Sequence, residues 1–218
     1  MNPAVSPPYL AATQPDLYMI LARAEGHTLL GAERLSNLYN AVKKLGDTGE
    51  NVALAELGTY KGGSALVMHL AAPQLPIHIF DTFEGMPDSN GAQEVHKAGD
   101  FNDTSFQTVS EFIRSNSPNP GNVFFHQGFF PGTFHLQNTD FGVVHLDGDY
   151  YETTKAGIEV FYPRLVDGGY LFFDDYGWPN CPGVRRAIYE SLLLTNSNEV
   201  VETTTGTEWQ AFIKRKLS

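Results

Sequence analysis

Two short apolar runs in this chain end abruptly in carboxylates. Val143-Val144-His145-Leu146 leads into Asp147-Gly148-Asp149, and Gly169-Tyr170-Leu171-Phe172-Phe173 leads into Asp174-Asp175. Continuous apolar runs of strand-forming residues read as parallel strands buried on both faces. The acids then stand at the carboxyl ends of those strands, the edge at which open α/β sheets bind ligands. If the two strands are neighbours, Asp147, Asp149, Asp174 and Asp175 converge. Carboxylates crowded in that way raise one another's pKa and repel, so a cation belongs among them, and a hard divalent ion such as Mg²⁺ suits oxygen ligands. A single aspartate after a strand is more simply a solvated loop residue or a helix cap. Two clusters at successive strand ends favour the metal.

A third constellation lies earlier. The turn Glu56-Leu57-Gly58-Thr59-Tyr60-Lys61-Gly62-Gly63-Ser64 closes the apolar run Val52 to Leu57 and opens a helical pattern. Its glycines let a ligand approach the backbone, and the helix start supplies free N–H donors. It is not a P-loop, because Lys61 precedes the glycine pair, and Tyr60 fills the second glycine position of Gly-x-Gly-x-x-Gly. Alone, such a turn is equally well plain strand-to-helix punctuation. Asp81 strengthens it: it ends the next strand, Ile77 to Asp81, where nucleotide-binding α/β folds place an acid that accepts hydrogen bonds from ribose hydroxyls. The plain alternative for Asp81 is a residue opening the turn Thr82-Phe83-Glu84-Gly85. Gln127 and Gly128, after the run Val123 to His126, stand where an amide or the backbone could read an adenine edge.

The elements that must hold these residues follow from periodicity. Residues 1–15 carry Pro3, Pro7, Pro8 and Pro15 and read as an extended or mobile arm outside the core. Two helices follow in 16–46, with Leu17, Ile20, Leu21 and Ala24, then Leu35, Leu38, Tyr39, Val42 and Leu45, each on one face; they either pack on the sheet or cover its active edge. Residues 47–218 alternate strands and helices. A long segment runs from Thr82 to Asp103, Gly168-Gly169 reads as the end of the helix after Asp149, and Glu199–Thr205 and Glu208–Lys214 read as a closing hairpin turning at Gly206-Thr207. The expected fold is a single α/β domain, Rossmann-like, with a mostly parallel sheet of about seven strands, a reversed terminal strand and helices on both faces.

Composition narrows the ligand. With 25 acidic against 14 basic residues the chain of 218 carries a formal charge of −11, which argues against nucleic acid and against anionic membrane surfaces. A small-molecule acceptor is expected instead. Cys181 is the single cysteine, so there is neither an internal disulfide nor a thiolate cluster for zinc. That cysteine usage, the lack of a signal-like N-terminus and the lack of a spanning apolar run are the pattern of a soluble, cytoplasmic protein.

Three stretches carry a resemblance: Phe80-Asp81-Thr82-Phe83-Glu84-Gly85-Met86-Pro87, His145-Leu146-Asp147-Gly148-Asp149-Tyr150-Tyr151-Glu152-Thr153-Thr154 and Asp174-Asp175-Tyr176-Gly177. Together they resemble the macrocin O-methyltransferase family, whose members methylate sugar hydroxyls of natural products with S-adenosylmethionine and Mg²⁺. The likeness runs from about Leu35 to the strand at Trp209. It implies a class I methyltransferase domain, and a metal held by Asp147, Asp174 and Asp175. It implies Asp149 as general base, and S-adenosylmethionine bound by Asp81 with Thr82, by the turn residues Gly58, Thr59, Tyr60, Gly62 and Ser64, and by Gln127 and Gly128, with Glu56 in support. A homodimer is also implied.

Rival readings remain at the level of residues. Asp149 is a base, a fourth metal ligand or only the N-cap of the helix opening at Tyr150; two residues from Asp147, it shares that side chain's direction if the strand continues. Asp147-Gly148-Asp149 also matches the Asp-x-Asp of metal-dependent glycosyltransferases, though the early glycine turn and the second acid pair are not part of that pattern. His145-Leu146-Asp147 would need a later histidine to make an iron triad, and none follows it. A non-enzymatic cofactor-binding module is the third class; loss of the acids would favour it, and they are present. Arg185 and Arg186 read as a solvated helix face.

Overall fold

A computed structural model describes residues 7–88, 95–194, 201–204 and 209–216. The elements in order are α1 (Pro7–Thr13), α2 (Pro15–Ala24), α3 (Ala32–Gly46), β1 (Ala53–Leu57), α4 (Gly63–Ala71), β2 (Ile77–Asp81), α5 (Phe106–Asn116), β3 (Val123–Gln127), β4 (Phe141–Leu146), α6 (Tyr151–Phe161), β5 (Leu165–Phe173), α7 (Pro182–Leu194), β6 (Val201–Thr203) and β7 (Ala211–Lys214). The strands form one seven-stranded sheet in the order β3-β2-β1-β4-β5-β7-β6. Pairings from β3 to β5 are parallel, and β7 runs antiparallel to both of its neighbours. The expected reversed terminal strand is therefore present. The turn expected at Gly206-Thr207 lies outside the described residues.

Alternation along the strands divides the core. Leu54, Ile77, Ile79, Val143 and Phe172 face a cluster that includes Leu17, Leu38, Val42, Leu66 and Ile113, so α1 to α5 cover one face. Ala55, Leu57, Phe80, Val144, Leu146, Leu171 and Phe173 face Ile158, Phe161, Val184 and Ile188 of α6 and α7 on the other. Strands sandwiched in this way have no polar face, which is why their sequences read as unbroken apolar runs. β1 and β4 lie side by side with their helices on opposite faces, so the strand order reverses between them. That crevice is the ligand position of doubly wound sheets. No helix among the described residues is long and apolar enough to cross a membrane.

Two expectations fail here. The proline-rich stretch is not an arm from residue 7 on: α1 is helical, Leu10 is 2% exposed within the core, and Pro15 sits in the first turn of α2, where its missing N–H costs nothing. Gly168-Gly169 does not end a helix. α6 stops at Phe161, a short 3₁₀ turn spans Tyr162–Arg164, and both glycines lie inside β5, where Gly168 adopts φ +74° and its N–H is bonded to the carbonyl of Arg215.

If α1 belongs to the core, Leu10→Ala costs about 2–5 kcal/mol in urea unfolding. A loss below about 0.5 kcal/mol would return the stretch to the status of an arm.

Candidate active site

The carboxyl ends of β1, β2, β4 and β5 open into a cavity of about 500 Å³. Asp147, Asp174 and Asp175 each offer a carboxylate oxygen, all within 4.8 Å of one another. They converge because β4 and β5 pair in register Leu146↔Phe173, which places the residues after each strand side by side. Asp149 joins them from the loop, not from the strand. β4 ends at Leu146, Asp149 adopts a left-handed conformation (φ +57°), and the N-cap of α6 is Tyr150. The continued-strand geometry and the capping role both fail, yet the carboxylate reaches the cluster beside that of Asp175. Asp175 is also left-handed, at φ +56°. Two acids of one cluster held in a sparsely populated backbone region have a geometry that the surroundings impose.

Electrostatics at the cluster are strained in the same sense. Burial, followed by the charges of its neighbours, holds the Asp175 carboxyl far above the usual carboxylate range. Burial likewise raises Asp147, reinforced by the charge of Asp174, and burial raises Asp149. Arg34 of α3 supplies one positive charge. It ion-pairs closely with Asp174 Oδ2, stands 4.0 Å from Asp175 Oδ1, and donates from Nη2 to the Leu29 carbonyl. The helices of 16–46 thus pack on the sheet, and Arg34 reaches from them to the acids.

Behind the acids runs a buried polar row. His145 Nδ1 lies 2.9 Å from Glu56 Oε1 and Nε2 lies 3.9 Å from Asp174 Oδ1, with all three side chains at most 1% exposed. Burial alone would lower the pKa of His145, but Asp174, Glu56 and the charge of Asp147 raise it to about 10. Glu56 Oε2 accepts from the Thr59 hydroxyl at 2.5 Å. Glu56 is therefore fully buried behind the turn and does not line the cavity.

The glycine turn lies against the acid segment. Gly58 has φ +86°, and a Cβ there would come within 1.9 Å of the Asp147 carbonyl oxygen, so no side chain fits. Asp81 fastens the turn: Oδ2 accepts from the N–H of Thr59 at 2.7 Å and of Tyr60 at 3.2 Å, and Oδ1 from that of Phe83 at 2.7 Å. Thr59, Tyr60, Ser64, Asp81, Thr82 and Gly128 line the cavity with Gly58. Gly62 and Gln127 do not; a Cβ at Gly62 would strike Val109 and Ile113 of α5, and Gln127 is exposed at the end of β3. The expected free donors at the helix start are also partly spent, since Gly62 N–H donates to the Thr59 carbonyl and Gly63 N–H to the His27 carbonyl.

Residues that drew no sequence argument complete the walls. His96, from the long segment after β2, stands 3.7 Å from Asp149 Oδ1, and Cys181 Sγ lies 3.5 Å from the same oxygen. The described part of that segment is tied down by Tyr150, whose hydroxyl donates to the carbonyls of Pro87 and His96. Gln210 donates to Asp174 Oδ1 at 3.3 Å, and Trp178 and Trp209 line the cavity beside the acids.

The model of the macrocin-O-methyltransferase (TylF) family matches residues 22–210. The chain belongs to that family. It is 31% identical over 178 residues to the 8-demethyl-8-(2,3-dimethoxy-alpha-L-rhamnosyl)-tetracenomycin-C 4'-O-methyltransferase of Streptomyces olivaceus, covering 75% of this chain and 67% of the relative. It is 29% identical over 182 residues to the demethyldecarbamoylnovobiocin O-methyltransferase of Streptomyces niveus, covering 77% and 68%. The solved structure of the O-methyltransferase NovP superposes with a TM-score of 0.78 at 25% identity, covering 92% of this chain and 89% of NovP. The protein is an O-methyltransferase with the class I fold.

The polar row carries a prediction. Glu56→Ala strands a buried, charged His145 without its nearest partner and should cost about 3–5 kcal/mol. Urea unfolding within 1 kcal/mol of wild type would mean that the row is not a charged one.

Proposed function

We propose that the chain transfers a methyl group from S-adenosylmethionine to a sugar hydroxyl of a glycosylated small molecule, with Mg²⁺ held by Asp147, Asp174 and Asp175. The observation that carries this reading is the meeting, at one sheet crevice, of the Gly58 turn fastened by Asp81 with a trio of converging carboxylates beside Asp149.

The donor set fits a hard divalent ion. Three carboxylates within ligand reach, with Arg34 and the high-pKa imidazole of His145 beside them, hold more negative charge than burial tolerates. The turn fits the sulfonium cofactor. Asp81 lines the cavity, and its Oδ1 accepts from Phe83 alone, so it keeps the capacity to accept from a ribose hydroxyl. Once bound, S-adenosylmethionine supplies an electrophilic methyl group and Mg²⁺ supplies a Lewis acid that lowers the pKa of an alcohol.

The protein's own groups do the rest. Asp149, fixed by its loop geometry and by Asp175, stands at the acid end of the cavity to take the hydroxyl proton. Gly58 keeps the donor turn and the acceptor acids in contact, which limits the distance that the transfer must span. The long segment held by Tyr150 helps exclude water. A sugar acceptor draws support from the relative named for methylating a rhamnosyl tetracenomycin. The glycosyltransferase alternative loses ground because the matching family and the similar relatives are O-methyltransferases.

Two measurements test this function. Isothermal calorimetry should give wild-type binding of S-adenosylmethionine, weakened about 10- to 100-fold by Asp81→Ala, as loss of a charge-assisted hydrogen bond requires; equal affinity removes Asp81 from the site. Against a panel of glycosides and catechols, excess chelator should abolish turnover and Mg²⁺ restore it. Asp149→Asn should lower kcat by about 10²–10⁴ while leaving cofactor affinity intact. Full turnover in chelator refutes the metal, and wild-type kcat in Asp149→Asn refutes the base.

A further inference from the structure

The geometry points to the corner formed by Trp178 and Trp209 as the platform on which the acceptor's sugar ring stacks, and so as the feature that selects which hydroxyl meets Asp149. This rests on the sugar-methylating reading above.

Both indoles line the cavity, with ring centroids 4.5 Å apart and planes at 73°. Trp209 is 44% exposed, an indole presented rather than packed away. Neither ring is placed independently of the acids. The backbone N–H of Trp178 donates to the Asp175 carbonyl at 3.0 Å, and Gln210, next to Trp209, donates its side-chain amide to Asp174 Oδ1. The Arg34 guanidinium, paired with Asp174, also lies 5.9 Å from the Trp209 ring centroid. The chain at each tryptophan is therefore tied to one acid of the pair.

A pyranose is amphipathic in a way that this corner matches. Its axial C–H groups form an apolar face suited to an aromatic surface, while its hydroxyls radiate from the rim. One indole receives that face, and the second, set at a steep angle, blocks rotation about the stacking axis. A single rim hydroxyl then points at the carboxylates. A flat catechol would gain from one indole but has no radiating set of hydroxyls for the second to discriminate.

The test uses the full chain with phenyl α-L-rhamnoside, phenyl β-D-glucoside and catechol as acceptors, comparing wild type with Trp209→Ala, Trp209→Phe and Trp178→Ala. Cofactor affinity by calorimetry serves as the check on folding. We expect KM for the preferred glycoside to rise about tenfold in each alanine variant with kcat changed less. The methylated products should become a mixture of regioisomers by NMR, and Trp209→Phe should restore most of the affinity. Wild-type KM and a single regioisomer in both alanine variants overturn the platform and leave the function standing. A wild type that methylates catechol and neither glycoside overturns both.

Discussion

Mutual repulsion among buried carboxylates is the constraint that organises this molecule. Asp147, Asp149, Asp174 and Asp175 are drawn together by the pairing of two strands and by two left-handed backbone positions, and each feels the others through a poorly screened interior. Everything nearby answers that charge. Arg34 comes from a helix that precedes the sheet, the pKa of His145 is held high beneath, and the amide of Gln210 donates to Asp174.

The sheet supplies position rather than chemistry. Because β1 and β4 are neighbours whose following helices leave in opposite directions, the turn after one and the acids after the other meet without any long excursion of the chain. Gly58 shows how close they come, with the Asp147 carbonyl occupying the space of a side chain. The glycine turn and the acid segment are thereby parts of one close contact. The N-terminal helices belong to the same body, since Leu10, Leu17 and Leu38 share the core that backs the sheet.

Much of this was legible in the residues. Strands buried on both faces write themselves as apolar runs, and each run ended where an acid or glycine began, so strand ends and site acids were read together. What the sequence hid is physically intelligible. Arg34 is 140 positions from Asp174, and its helical pattern describes only the face that packs, not the one that reaches the acids. His96 and Trp209 act from loops, where no periodicity reports direction. Gly168-Gly169 resembled a helix end because glycine serves both helix termination and irregular strands. Asp149 reached its expected place by a route that strand alternation does not describe. The prolines near the start looked like breakers because Pro15 at the head of a helix is, by residue type alone, the same as a proline in a loop.

The buried row of Glu56, His145 and Asp174 has a consequence for the sheet itself. Glu56 pairs with His145 in the β1–β4 register, and His145 with Phe172 in the β4–β5 register, on a face otherwise filled by Leu54, Val143 and Phe172. A slip of one residue in β4 would turn His145 toward Phe161 and Ile188, leaving Glu56 alone among apolar side chains. Apolar strands tolerate slippage in a way that a matched polar pair does not. The row is a registration mark that lets three greasy strands find a single alignment, and a descendant of this chain that methylated nothing would still have reason to keep Glu56 and His145.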